Sequence, residues 1–107
     1  MIVVYIASPY TVGDISKNVR AQIDMADKLA LLGYIPRWPT ASHFWHVVHP
    51  HDYEFWMDLD LKEIARCDAL LRLPGESPGG DREVRHAQRI GVPVFFSIEE
   101  LLANITA

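Results

Sequence analysis

The stretch ALLRLPGESPGGDREVRHAQRIGVPVFF, residues 69–96, holds the pattern that decides the fold. Ala69 to Leu73 is an apolar-rich run of strand length. A loop of prolines, glycines and polar residues follows, then a helical stretch from Asp81 to Ile90 closed by Gly91. A second apolar run, Val92 to Phe96, completes the unit. Strand, helix and strand in so short a span predict a right-handed crossover between parallel neighbours.

The alternation continues in both directions. Ile2 to Ala7 is a β-branched, apolar run and reads as a first strand. Asp14 can cap a helix whose apolar positions Val19, Ile23, Ala26 and Ala30 keep helical spacing, with Gly33 at its end. Tyr34 to Trp38 is a second strand, weakened by Pro36. Asp52 to Cys67 is helical through Phe55, Leu59 and Ile64, and Ser97 with Glu100 has capping-box spacing for a short last helix. The expected architecture is one α/β domain over residues 1–107. It has three layers, α/β/α, around a four- to five-stranded parallel sheet of flavodoxin- or Rossmann-like order 2-1-3-4. Ligands of such sheets bind beyond the carboxyl ends of the strands where the order reverses. That point lies between the first and third strands, at the loops Ser8 to Gly13 and Pro74 to Gly80.

Composition narrows the function classes. With 107 residues, half of them apolar and 22% charged, the chain can bury a core, and it is not disordered. A net charge of −4 gives no footprint for a nucleic-acid polymer, although a small anion can still bind locally. No stretch is apolar and long enough to span a membrane. The single cysteine, Cys67, cannot form an internal disulfide and no segment reads as a secretory signal, so the expected setting is the cytoplasm.

Four groups of residues can carry chemistry. In the loop before the helical stretch Asp81 to Ile90, Gly79 and Gly80 leave backbone N–H groups able to approach an anion. The pattern is neither a Walker motif nor GxGxxG. Asp81 reads as the N-cap, Glu76 as a solvated loop residue, and Glu83 as a first-turn acid that the helix terminus keeps ionised. Of Asp58 and Asp60, two apart on a helix, at most one can face a cleft. In SHFWHVVHPHDYEFW, residues 42–56, four histidines at 43, 46, 49 and 51 mix with Trp45, Tyr53 and Trp56 in what reads as a long loop. Histidine clusters bind zinc, but HExxH and paired cysteines are lacking, and stacking on a flat heterocycle is preferred; no metal or cofactor is expected. Tyr5 lies inside the first strand, either packed in the core or with its hydroxyl near the helix of Glu83.

The joint order of YIASPY (5–10), SHFWH (42–46), WMDLDLKEIARCDALLRLPGES (56–77), SPGGDREVRHA (77–87) and GVPVFF (91–96) resembles the nucleoside 2-deoxyribosyltransferase-like superfamily. Within it the chain looks most similar to the small DUF4406 proteins. The resemblance implies that Glu83 is the catalytic nucleophile, with Tyr5 hydrogen-bonded to it. It implies that Asp60, eight residues before Asp68, is the active-site aspartate, and it leaves His43 as the candidate histidine near the base. Ser8, Tyr10 and Asp68 join the implied substrate-binding residues. Six residues before the nucleophile the transferases carry an aspartate for the sugar's 5′-hydroxyl; here that position is Ser77, as in the related 5′-monophosphate N-glycosidases. Ser77, Gly79 and Gly80 would then receive a phosphate that an aspartate would repel. The resemblance thus implies N-glycosidic cleavage of a (deoxy)nucleoside 5′-monophosphate, as hydrolase or transferase, in a homodimer or higher homo-oligomer. The rivals are a non-catalytic nucleotide-binding module, a histidine-cluster metal hydrolase, and a phosphoribohydrolase of the lysine-decarboxylase-like type. The last has a PGGxGTxxE signature that PGGDRE at 78–83 matches only in part.

Overall fold

A computed structural model describes residues 1–107. In chain order it contains β1 (Val3–Ala7), α1 (Ile15–Leu31), β2 (Ile35–Arg37), a 3-10 turn (Pro39–Ser42), α2 (His43–Val48), α3 (Tyr53–Ile64), β3 (Ala69–Arg72), α4 (Pro78–Ile90), β4 (Val94–Phe95) and α5 (Ile98–Asn104). The sheet has four strands in the order β2-β1-β3-β4, every neighbouring pair parallel.

Strand alternation divides the core between two faces. Val4, Ile6, Ala69 and Leu71 pack with Ala26 and Leu29 of α1 and with Ile98 and Leu101 of α5. Tyr5, Ala7 and Leu70 point the other way, against Ile64 of α3 and Val84 and Ala87 of α4. The result is the three-layer α/β/α arrangement with order 2-1-3-4. Pro36 is tolerated because β2 is an edge strand that pairs with β1 alone. No helix is long and apolar enough to cross a membrane.

The caps of α1, α3 and α5 are side chains at the helix starts read from the sequence. Asp14 accepts a hydrogen bond from the Lys17 amide at 3.1 Å, and Asp52 one from Phe55 at 2.9 Å. Ser97 accepts from Glu100 N–H at 3.1 Å, while the Glu100 carboxylate reaches back to Phe96 N–H at 3.4 Å.

Three local expectations are corrected. Helix α4 begins at Pro78, not Asp81, and its cap is Ser77, whose Oγ accepts from Gly80 N–H at 2.9 Å. Serine at the cap followed by proline at the first helical position outweighs the weak helix propensity of Gly79 and Gly80. The histidine-rich segment is not one long loop: His43–Val48 form the six-residue α2, only residues 49–52 stay irregular, and Tyr53 to Trp56 begin α3. Strand β4 is also shorter than the apolar run that encodes it, since only Val94 and Phe95 pair with β3.

Candidate functional site

At the carboxyl ends of β1 and β3 lies a cavity of about 540 Å³, walled by the loop after β1, the 3-10 turn with α2, α3 and the start of α4. Glu83 and Asp60 both face it. Glu83 is 5% exposed, and Tyr5, 1% exposed, donates its hydroxyl hydrogen to Glu83 Oε2 across a chain separation of 78 residues. Burial pushes the Glu83 carboxyl up to about 8; the Tyr5 hydrogen bond and the Arg72 charge oppose that shift, and the Asp60 charge adds to it. Burial likewise pushes Asp60 up to about 7, with help from Glu63. Burial, and then the neighbouring Glu83 charge, hold the Tyr5 phenol well above its usual range, so it remains a donor.

This electrostatics corrects one expectation. Because α4 starts at Pro78, Glu83 lies in the second turn, beyond the first-turn amides that would keep a carboxylate ionised. Desolvation decides the balance instead. Both carboxyls face one cavity in surroundings that favour the proton, Glu83 pushed up to about 8 and Asp60 to about 7, so near neutrality the two differ in how readily they ionise. Such a pair can supply an acid and an anion at once.

The start of α4 is pinned by Arg72, a residue that sequence reasoning missed. Its guanidinium is buried and donates to the carbonyls of Leu73 and, at 2.9 Å, Gly75, and it pairs with Asp81 at 3.1 Å. Asp81 is therefore an ion-pair partner rather than the cap. An arginine inside a strand-length apolar run was the available signal, because a buried cation requires partners. Space is tight at 80, where a Cβ would stand 3.0 Å from both Arg72 Nε and Ser77 Oγ, so those side chains would have to shift to admit one. Glycine is required at 75, where φ is +115° and a Cβ would meet Pro9 at 2.9 Å. Ser77 lines the cavity, and while its oxygen accepts from Gly80, its hydroxyl hydrogen remains free to donate. The Gly80 amide is thereby occupied; the second helical amide, that of Gly79, has no intrahelical partner and stays available. Glu76 is exposed in the loop, as expected.

The opposite wall gathers Ser8, Tyr10, His43, His46, His51 and Trp56. Tyr10 and His43 share a hydrogen bond between the first loop and α2. His46 Nδ1 accepts from Trp56 Nε1–H at 2.7 Å and from His51 N–H at 3.2 Å, which places the proton of neutral His46 on Nε2. His51 stacks on Phe55 with ring centroids 3.7 Å apart, and His49 lies outside the cavity lining. No three histidine, cysteine or carboxylate side chains converge as a metal-binding group. Asp58 is turned outward and pairs with Lys62 at 2.8 Å, leaving Asp60 as the carboxyl of that helix in the cleft.

Asp68 is not brought to the cavity. It precedes β3 at the sheet's amino end and accepts a hydrogen bond from Val3 N–H at 2.8 Å, a link between strands remote from the cleft. Sequence reasoning also missed Gln22. This residue is 1% exposed and bonded to both Ser8 and Thr40 on the cavity wall. Its spacing from Ala26 and Leu29 along the buried stripe of α1 was the signal.

A family model described as "Domain of unknown function (DUF4406)" matches residues 2–96. Among solved structures, a 2-deoxyribosyltransferase from Bacillus psychrosaccharolyticus superposes with a TM-score of 0.67 at 18% identity, over 91% of this chain and 78% of that one. A 2-deoxyribosyltransferase from Leishmania mexicana gives a TM-score of 0.68 at 17% identity, over 89% of this chain and 63% of that one. The chain thus spans less than two thirds of the Leishmania protein. At these identities the likeness is one of fold. No curated protein matches the chain significantly.

Proposed function

The chain belongs to the DUF4406 family, and on that footing we propose that it cleaves the N-glycosidic bond of a (deoxy)nucleoside 5′-monophosphate, with Glu83 as nucleophile. One observation carries this reading. A buried glutamate, oriented by a tyrosine from β1, faces a cavity of ligand size together with a second carboxyl of raised pKa. The solved structures of similar fold are named 2-deoxyribosyltransferases, which fits the same chemistry.

At rest Glu83, with the higher pKa, holds its proton more firmly than Asp60 does; the reactive form reverses this, with the proton on Asp60 and Glu83 the anion. Positive charge building on the anomeric carbon draws the site to that form. Glu83 attacks that carbon from the face opposite the base. The bond to the base nitrogen breaks, its electron pair leaves with the base, and Asp60 supplies the proton. Water then attacks the glycosyl ester while the Asp60 carboxylate takes its proton, or a second base attacks in place of water. The first outcome is hydrolysis and the second is transfer. The Ser77 hydroxyl and the Gly79 amide, at the start of α4, donate to the 5′-phosphate.

Phe44, Val47 and Val48 are exposed apolar residues on α2, the helix that also carries His43 and His46. A second copy of the chain covering them fits the homodimer that the resemblance implies. The test of the function is a screen of ribo- and deoxyribonucleoside monophosphates for free base by chromatography, with wild type and Glu83→Gln. Base release by wild type and none by a folded Glu83→Gln supports the reading. Equal release by both proteins removes Glu83 from the mechanism.

A further inference from the structure

Gln22 spends its whole amide. Nε2 donates to the Ile6 carbonyl at 3.0 Å and to Ser8 Oγ at 2.8 Å; Oε1 accepts from Thr40 N–H at 3.1 Å and from the Thr40 hydroxyl. Two of these partners have only one possible role. The Ile6 carbonyl can only accept and the Thr40 amide can only donate, so a flipped Gln22 would set like against like at both. The amide orientation is therefore determined, and it dictates the roles of the two hydroxyls.

Ser8 accepts from Gln22, so its own hydrogen is free for a ligand. Thr40 gives its single hydroxyl hydrogen to Gln22, so only lone pairs remain toward the cavity. Both residues line that cavity. Their order across it follows from the sheet. Glu83 and Ser77 ride on α4, packed beside β3; Ser8 ends β1, the next strand; Thr40 follows β2, the strand beyond. A substrate held by its sugar and 5′-group at α4 extends its heterocycle past Ser8 toward Thr40. The ring nitrogens nearer the glycosidic bond then meet a donor. The exocyclic substituent farthest from that bond meets an acceptor.

We propose that Gln22 fixes the hydrogen-bond polarity of this wall, and that the wall selects a heterocycle with an exocyclic amino group over its oxo counterpart. An amino group donates to Thr40, whereas an oxo group would face its lone pairs with lone pairs. Gln22 is a positioning residue here and Thr40 a specificity-determining one. The inference rests on the N-glycosidase reading for the placement of the sugar.

The experiment is calorimetric binding on a Glu83→Gln background, which prevents turnover. The probes are adenosine against inosine 5′-monophosphate and cytidine against uridine 5′-monophosphate, each also as the 2′-deoxy form. The amino member should bind at least about tenfold more tightly in one pair or more, because a site with committed acceptors rejects the mismatched analogue. Thr40→Val removes the lone pairs and keeps the backbone N–H bond to Gln22, so the preference should shrink to within about threefold. Thr40→Ser, which can still donate to Gln22, should restore it. Gln22→Leu, if it folds, should also narrow the preference, because Thr40 regains a hydrogen to donate; if it does not fold, the two Thr40 variants decide the matter. Equal affinity within every pair, tighter binding of the oxo member, or a preference that survives Thr40→Val would overturn the proposal. No nucleotide binding at all overturns it together with the N-glycosidase reading. An amino preference in a protein whose wild type releases no base overturns the N-glycosidase reading alone.

Discussion

Replacing Glu83 by glutamine tests whether desolvation governs the site, before any substrate is known. In the folded protein the carboxyl is pushed up to about 8, against an ordinary value of 4.5 in the unfolded chain. Below 4.5 both states hold the proton and the group contributes no pH dependence. Between 4.5 and about 8 the unfolded chain releases a proton that the folded protein keeps, so stability falls as pH rises. At 1.36 kcal/mol per unit the whole window amounts to at most about 5 kcal/mol. That is a large part of the roughly 5–15 kcal/mol that holds a typical domain together. Glutamine is nearly isosteric with the protonated acid and can still accept from Tyr5, so the two proteins should be similarly stable at pH 5. By pH 9 the glutamine variant should be the more stable by several kcal/mol. Urea unfolding at unit steps from pH 5 to 9, analysed with a common m-value, measures the difference. Parallel stability curves across that range would refute the reasoning, and would mean that Glu83 rests as an ordinary carboxylate.

Further outcomes follow from the same geometry. Tyr5→Phe should fold and should slow base release about tenfold, as expected for one orienting hydrogen bond, and its pH–rate profile should move to higher pH because a group that lowers the Glu83 pKa is gone. Asp60→Asn should slow release most for bases that leave poorly without protonation, read as the spread of kcat/KM across a series of leaving groups; a uniform effect would deny it the role of acid. Ser77→Asp should keep the helix, since aspartate caps as well as serine, yet should lower the ratio of kcat/KM for a nucleoside monophosphate to that for its nucleoside by tenfold or more. An unchanged ratio would mean that this terminus does not read the 5′ position. Phe44→Glu with Val48→Glu should convert a homodimer to monomer in sedimentation velocity; an unchanged sedimentation coefficient would place any interface elsewhere.

The fold was legible because periodicity is a local property. The runs at Ile2–Ala7 and Ala69–Leu73 and the stripe Ala26–Leu29 each announce a buried face, and the parallel order follows from their alternation. The sheet order left Tyr5 either packed in the core or near the helix of Glu83, and only the resemblance chose between the two, since nothing in either segment points to the other. What stayed hidden was set collectively. Whether Glu83 rests protonated depends on how completely β1, α3 and α4 exclude water from it, which no single stretch encodes. The start of α4 was misplaced because Asp81 was read as the cap, when Ser77 caps the helix and Gly80 leaves room for Arg72 and Ser77 beside the backbone.

Arg72 and Gln22 show the same limit from the other side. Each breaks an apolar pattern, and a pattern-based reading sets such residues aside as exceptions. Yet a buried polar side chain must have its donors and acceptors matched, so it is where the fold commits to particular neighbours. Arg72 commits the turn at Gly75 and the first turn of α4; Gln22 commits the first loop to the 3-10 turn. Arg72 lies outside the cavity lining and steadies the start of α4, while Gln22 lines the cavity itself and fixes Ser8 and Thr40 beside it. A polar residue inside an apolar run, close to a sheet's switch point, is therefore a place to look for the supports of a site before its reacting groups are known.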